Sequence, residues 1–223
     1  MNTNFMIEAN FPLFPSDKIG TLYHVGTMDI TKKRRDSYEG DGLSVSICPE
    51  TWIHITEGRT NGDTFSLSKQ NPQLLDYYSL TDDQKSAVTE WGKEQGYVQD
   101  ATLYKAFFYD ENGEECFMLF STYEEALEET EDEEFVKECQ SIVATNKLQA
   151  ITYTEIELLC TFDILLERFA EDVLQLDGIY WDEELDVSSY SAPRGVIFNS
   201  KLSTFDISLC NEYGICDDYE EER

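Results

Sequence analysis

Two short stretches, far apart in the chain, carry the side chains best suited to chemistry. Thr21-Leu22-Tyr23-His24-Val25-Gly26-Thr27 reads as an apolar strand that delivers one of only two histidines into a Gly-Thr turn. Asp177-Gly178-Ile179-Tyr180-Trp181-Asp182-Glu183-Glu184 reads as a second apolar strand running straight into three carboxylates. The imidazole offers a ring nitrogen to a sugar hydroxyl, the glycine lets a ligand approach the backbone, and the threonine adds a third hydrogen bond. A fixed negative group beside a developing ribosyl cation is what oxocarbenium chemistry requires. On an extended segment alternate side chains face opposite sides, so either Glu183, or Asp182 with Glu184, faces the cleft. The reading places His24 and one of these acids in a single pocket. The plainer alternative for His24 is a buried structural histidine beside a tight turn. For the acids it is solvation, since 46 Asp and Glu make a triplet cheap.

The scaffold that must position these groups is read from patterning. An extended arm with Phe5, Phe11 and Phe14 precedes the His24 strand, and Lys32-Lys33-Arg34-Arg35 follows it. That run holds four of the sixteen bases, and reads either as a loop offsetting acids or as a phosphate landing place. Gly40-Asp41-Gly42-Leu43-Ser44-Val45-Ser46 is an alternating strand leading into a short helix at Pro49-Glu50-Thr51-Trp52. Strand Thr64–Ser68 follows the turn Asn61-Gly62-Asp63. Thr81-Asp82-Asp83-Gln84 is a capping box opening a helix with Val88 and Trp91 on its apolar face. Leu103–Tyr109 and Glu115–Ser121 form a hairpin around Asn112-Gly113. The acidic stretch from Tyr123 to Glu138 reads as one or two surface helices, within a helical insertion around 122–147. Leu148–Ile151 reads as a short strand, Thr154–Phe169 as the central buried helix, and Arg194–Phe198 as the last core strand. The tail 211–223 is expected to fray. No repeat or long linker divides the chain, so a single α+β domain over 1–223 is expected.

Composition narrows the class. With 13 Tyr, 13 Phe and 3 Trp the chain is too aromatic for disorder, and no apolar run or leader points to a membrane. Six scattered cysteines without a Cys-x-x-Cys pair suit a reducing cytoplasm and speak against zinc or any other metal. The net charge of −30 repels nucleic acid at long range. It fits a solvated surface, a basic partner, or mimicry of a phosphate backbone. Tyr23, Trp52, Tyr180 and Trp181 are aromatic residues that either stack on a flat ring or fill core. No P-loop, GxGxxG or Ser-His-Asp order is present.

Taken together, Tyr23-His24-Val25-Gly26-Thr27, Gly42-Leu43-Ser44-Val45-Ser46 with Pro49-Glu50-Thr51-Trp52, Asp177-Gly178-Ile179-Tyr180 and Gly195-Val196-Ile197-Phe198-Asn199 resemble the ADP-ribosyltransferase superfamily, in its branch built on His, an aromatic residue and an acid. The resemblance covers the two ends of the chain, about a third of it, and leaves residues 65 to 170 unplaced. It implies a split, twisted β-sheet clasping NAD, with added helices and a β-hairpin. It implies that His24 holds a ribose hydroxyl and that Gly26 and Thr27 line the nicotinamide pocket. Tyr23, Ser44 and Ser46 would join the NAD-binding set. Trp52 or Tyr180 would take the aromatic role, and Glu183, Asp182 or Glu184 the acid. The family often places its glutamate just before the last core strand, where this chain has Arg194. Some branches use arginine in place of the glutamate, so Arg194 or Arg34 would then bind phosphates.

The function this implies is transfer of ADP-ribose from NAD to a protein or nucleic acid. A toxin or phage-defence effector with a neutralising, antitoxin-like partner is one setting for it. The competing reading is a non-enzymatic acidic inhibitor that mimics nucleic acid, as anti-restriction proteins do. It predicts a lopsided carboxylate array.

Overall fold

Alternation of apolar and polar residues along short segments, each stopped by glycine, proline or a carboxylate, builds most of the strands. The computed structural model describes residues 10–28, 42–55, 63–109, 112–148, 161–184, 186 and 191–210. Arg34 and its basic run, residues 61–62 of the first turn, 110–111 of the hairpin turn, 154–160 of the expected long helix and the tail 211–223 lie outside these. The architecture is mixed α+β, with three sheets among the described residues.

β1 (Leu22–Gly26) pairs antiparallel with β3 (Asp63–Ser68), which pairs with β10 (Asp206–Cys210). The second sheet runs β2 (Leu43–Val45), β9 (Arg194–Ile197), β8 (Gly178–Trp181), β4 (Leu74–Asp76), so two strands from late in the chain sit between two from its first half. These sheets touch at one antiparallel bridge, where Tyr23 and Ser46 exchange backbone hydrogen bonds of 2.8 and 2.9 Å. The third sheet, β6 (Glu115–Phe120), β5 (Val98–Tyr109), β7 (Val136–Ala144), carries α4 (Tyr123–Thr130).

The second sheet separates two cores, as strand alternation demands. On one face Ile179, Trp181 and Val196 meet α3 (Asp82–Gln95) and α5 (Thr161–Asp172). α5 buries Ile164, Leu165, Leu166, Phe169 and Ala170, a stripe at helical spacing whose large side chains each contribute roughly 1.5–3 kcal/mol. On the other face Leu43, Val45, Tyr180 and Ile197 meet Leu22 and Leu67 of the first sheet. The N-terminal arm adds Phe14, whose backbone N–H donates to the Leu74 carbonyl at 2.9 Å. Gly195 is forced by contact, because a Cβ there would stand 2.8 Å from the Tyr180 ring and 2.9 Å from the Ile179 carbonyl.

The capping box at Thr81 and Gln84 is present with both hydrogen bonds. Two expectations need correction. The acidic stretch is helical over Tyr123–Thr130 and again in a 3-10 turn at Glu133–Phe135, but Val136–Ala144, expected within the helical insertion, is a strand, because pairing with β5 along its whole length satisfies its backbone. Residues 146–148 are helical, so Leu148 does not open a strand. Arg194–Ile197 is the last strand buried in the core, and the exposed β10 follows it.

Candidate functional site

β1 ends where the two sheets part, and that seam holds an unusual share of buried polar groups. Among the described residues the buried polar side chains are His24, Ser46, Thr64, Glu167 and Asp177. The first three belong to β1, the end of β2, and β3. His24 is 2 % exposed and its Nδ1 lies 2.8 Å from the Ser44 carbonyl oxygen. A carbonyl only accepts, so Nδ1 carries the proton and Nε2 is the acceptor in the neutral ring. Ser46 donates its hydroxyl to the Pro193 carbonyl at 2.6 Å and accepts from the Cys48 N–H at 3.0 Å. Trp52, on α2 (Pro49–Ile55), donates Nε1–H to the same Pro193 carbonyl at 3.0 Å. One carbonyl therefore ties β2 and α2 to the entry of β9. Gly26 closes β1 at φ 140°, a backbone region that favours glycine over any residue with a side chain. Thr27 is exposed just beyond it, and Tyr23 and Ser44 are half-buried on either side of the seam.

The acidic triplet divides as alternation requires, but not toward His24. Asp182 and Glu184 face solvent. Glu183 turns inward and accepts from Arg194 Nε at 3.2 Å, with both side chains 15 % exposed. Tyr78 donates to the same carboxylate oxygen at 3.3 Å, and the Ser191 hydroxyl lies 3.1 Å from the other. The Arg194 guanidinium stands 4.6 Å above the Trp181 ring. Trp181 packs into the α5 core, whereas His24 shares its side of β1 with Leu22 of the other core. The imidazole and the carboxylate therefore belong to opposite faces of the second sheet, and the single pocket expected of His24 and Glu183 is not formed. Tyr180 also leaves the binding set: it is fully buried, its ring 4.5 Å from that of Phe14. Arg194, expected to be a lone phosphate-binding arginine, is committed to Glu183 and Trp181.

Sequence reasoning passed over Tyr77, Tyr78, Asp163 and Ser191, which join this second cluster. Burial, then the negative Asp163 carboxylate and the hydrogen bond Tyr77 donates to it, push the Tyr77 phenol far above its ordinary range, while Arg194 pulls the other way. Burial and then Glu183 raise Tyr78 in the same sense. Tyr77-Tyr78, one residue after the apolar pair Leu74-Leu75, was the one available signal, a strand delivering two phenols to a sheet end. Glu50 was read only as a complement to its helix start. Both its carboxylate oxygens are buried and have no hydrogen-bond partner among the described residues, and the same holds for the Thr64 hydroxyl.

An open groove of about 410 Å³ on α3, lined by Asp82, Lys85, Ser86, Thr89, Glu90 and Phe162, shares no residue with the seam. Among the described residues no helix is long and apolar enough to cross a membrane. No family model, curated protein or solved structure matches the chain.

Proposed function

We propose that the chain binds NAD at the seam between its two sheets and transfers ADP-ribose from it to a macromolecular acceptor. The observation that carries this is the gathering of buried polar groups, His24, Ser46 and Thr64, around the Tyr23–Ser46 backbone bridge between the sheets. Polar groups sunk in an apolar wall are costly unless they have work or partners, and such convergence is the usual mark of a small-molecule site. The meeting of strands from both chain ends in a divided sheet supports an ADP-ribosyltransferase type of core. Within this reading Nδ1–H of His24 is held by Ser44, which orients Nε2 to accept from a ribose hydroxyl. Ser46 and Trp52 fix the neighbouring wall through Pro193. Glu183 has no part in it, because its carboxylate neutralises Arg194 on the far face.

Incubation with NAD labelled in the adenylate half, against protein, RNA and DNA acceptors, tests the proposal. Transfer of label, or release of nicotinamide, is expected, with His24→Ala reducing it by about 10²-fold or more. Absence of label transfer and of NAD loss across all acceptors would discard it.

A second reading draws on α4 and the turn after it. Residues 124–134 hold eight acids, every one exposed, and no base. Such a one-signed ridge is what an acidic mimic of nucleic acid would present to a basic partner. That reading expects salt-sensitive binding to a basic protein, untouched by His24→Ala.

A further inference from the structure

Backbone N–H and C=O groups left along the edge of a sheet are a template for another strand, and proteins usually guard them with lysine, proline or a bulge. β10 has none of the three. Its sequence Asp-Ile-Ser-Leu-Cys runs in unbroken register against β3. Beyond that ladder, and the bond the Ser208 carbonyl accepts from the Ser66 hydroxyl at 3.3 Å, it makes no hydrogen bond among the described residues. Residues 206–209 are exposed, with Ile207 at 37 % and Leu209 at 54 %. Directly opposed residues share a face of a sheet. Ile207 therefore extends the row of Leu22 and Leu67, both 1 % exposed, and Leu209 extends the row through Phe65. The apolar side of the first sheet thus runs past β3 to an open edge.

Charge decides what fits that edge. The chain is 28 % charged with a net −30, yet β1, β3 and β10 together carry no Lys, Arg or Glu, and only Asp63 and Asp206. A basic partner finds its counter-charges elsewhere, as on the α4 ridge. Depletion of charge is the mark of the core of a protein–protein interface, and a strand that matches β10 in this respect is a second β10.

We propose that two copies of the chain join edge to edge through β10, antiparallel about a two-fold axis at Ser208, so that their first sheets merge into one. Pairing about that residue sets Ser208 opposite Ser208 of the second copy, Ile207 opposite its Leu209, and Asp206 opposite its Cys210. It is the one register in which all five residues of the strand are paired. The large apolar side chains meet in cross-strand pairs, and no acid faces an acid.

Sedimentation equilibrium of the full chain tests this. A dimer with a dissociation constant on the order of 10 µM is expected, since a short strand pair is smaller than a standard interface. Raising NaCl from about 0.05 to 0.5 M should tighten it several-fold by screening the repulsion of two acidic chains. Ile207→Lys combined with Leu209→Lys should weaken it by at least about tenfold with unchanged circular dichroism, because lysine guards an edge without disturbing the strand behind it. Oxidation reads the register. In a Cys210→Ser background, Ser208→Cys should yield a covalent dimer and Asp206→Cys should not, because residue 208 alone faces itself within disulfide reach. A chain that stays monomeric at about 200 µM in high salt would overturn the pairing and leave the edge to a strand from another protein. A dimer that survives the lysine changes, or in which Asp206→Cys cross-links as fast as Ser208→Cys, would overturn it too, by putting the contact on another surface or in another register.

Discussion

Arg194 and Glu183 hold each other at 3.2 Å across the mouth of the β8–β9 connection, with the guanidinium laid on Trp181. The arginine begins the strand that is paired with the strand leading to the glutamate, so the bond clamps two neighbouring strands at the same end. Both partners are largely sheltered, which raises the cost of separating them. Glu183→Gln is expected to destabilise the fold by about 1–3 kcal/mol, short of the full penalty for a deeply buried pair because some exposure remains. Urea unfolding of Glu183→Gln, Arg194→Met and the double variant checks it. The double variant should lose less than the sum of the two single changes.

Tyr77 gives a pH signature. A phenol is uncharged while protonated, so a folded value raised above the ordinary one near 10 adds stability that is whole below pH 10 and is lost as the pH climbs beyond it. Alkaline titration followed by tyrosinate absorbance should show Tyr77 ionising only after most of the 13 tyrosines, or with unfolding. Asp163→Asn should bring it down, since it removes the nearby negative charge. A Tyr77→Phe variant whose late titration phase is unchanged would contradict the assignment.

Asp177 ties the two sheets. Its carboxylate, in a residue 5 % exposed, takes Lys69 Nζ at 2.6 Å and the Gln73 N–H at 2.9 Å, while Lys69 also reaches Thr204. Asp177→Ala strands a lysine and an amide, and should cost about 3 kcal/mol. Lys69→Met keeps the amide bond and should still lose at least 1 kcal/mol or so. Chemical denaturation of the two variants should rank them in that order.

The α4 ridge is expected to hold its charge at the expense of stability. Glu124 with Glu128 and Glu125 with Glu129 are like charges one helical turn apart, and no base lies in the last turn to offset the helix dipole. Converting all four to Gln should raise stability by about 0.5–1 kcal/mol at low salt. The gain should shrink as salt is added. If these residues dock a basic partner, the same variant should lose that binding.

Local signals made half of the fold readable and long-range ones hid the rest. Gly42 before Leu43, the Thr81–Gln84 box and Asn112-Gly113 each specify their element within a few residues, and β2, α3 and the β5–β6 hairpin follow from them. β7 carries a lysine, a glutamate and a glutamine among its apolar residues and is a strand because β5 pairs with it from Val98 to Ala106. β10 shows Ile207 and Leu209 on its exposed side, so no burial pattern announces it. At the candidate site, the sequence singled out His24, Ser46 and Trp52 on strands and a helix that meet. It could not show that Glu183 turns to Arg194, because which face a residue takes after a strand ends depends on a connection twelve residues long. Nor does any pattern reveal that the Glu50 oxygens lack donors, which is a property of the assembled interior.

The interleaving of strands sets an order of assembly. β2 and β4 are made early, but their sheet neighbours β9 and β8 come only with residues 178–197, and β3 waits for β10 on its second edge. While the chain emerges from the ribosome, Leu43, Val45, Leu74 and Leu75 have no finished wall to join. The β5–β6–β7 module with α4, whose partners are near in sequence, can close while synthesis continues. The molecule should therefore acquire its principal core slowly, and only once residues 178–210 have been made.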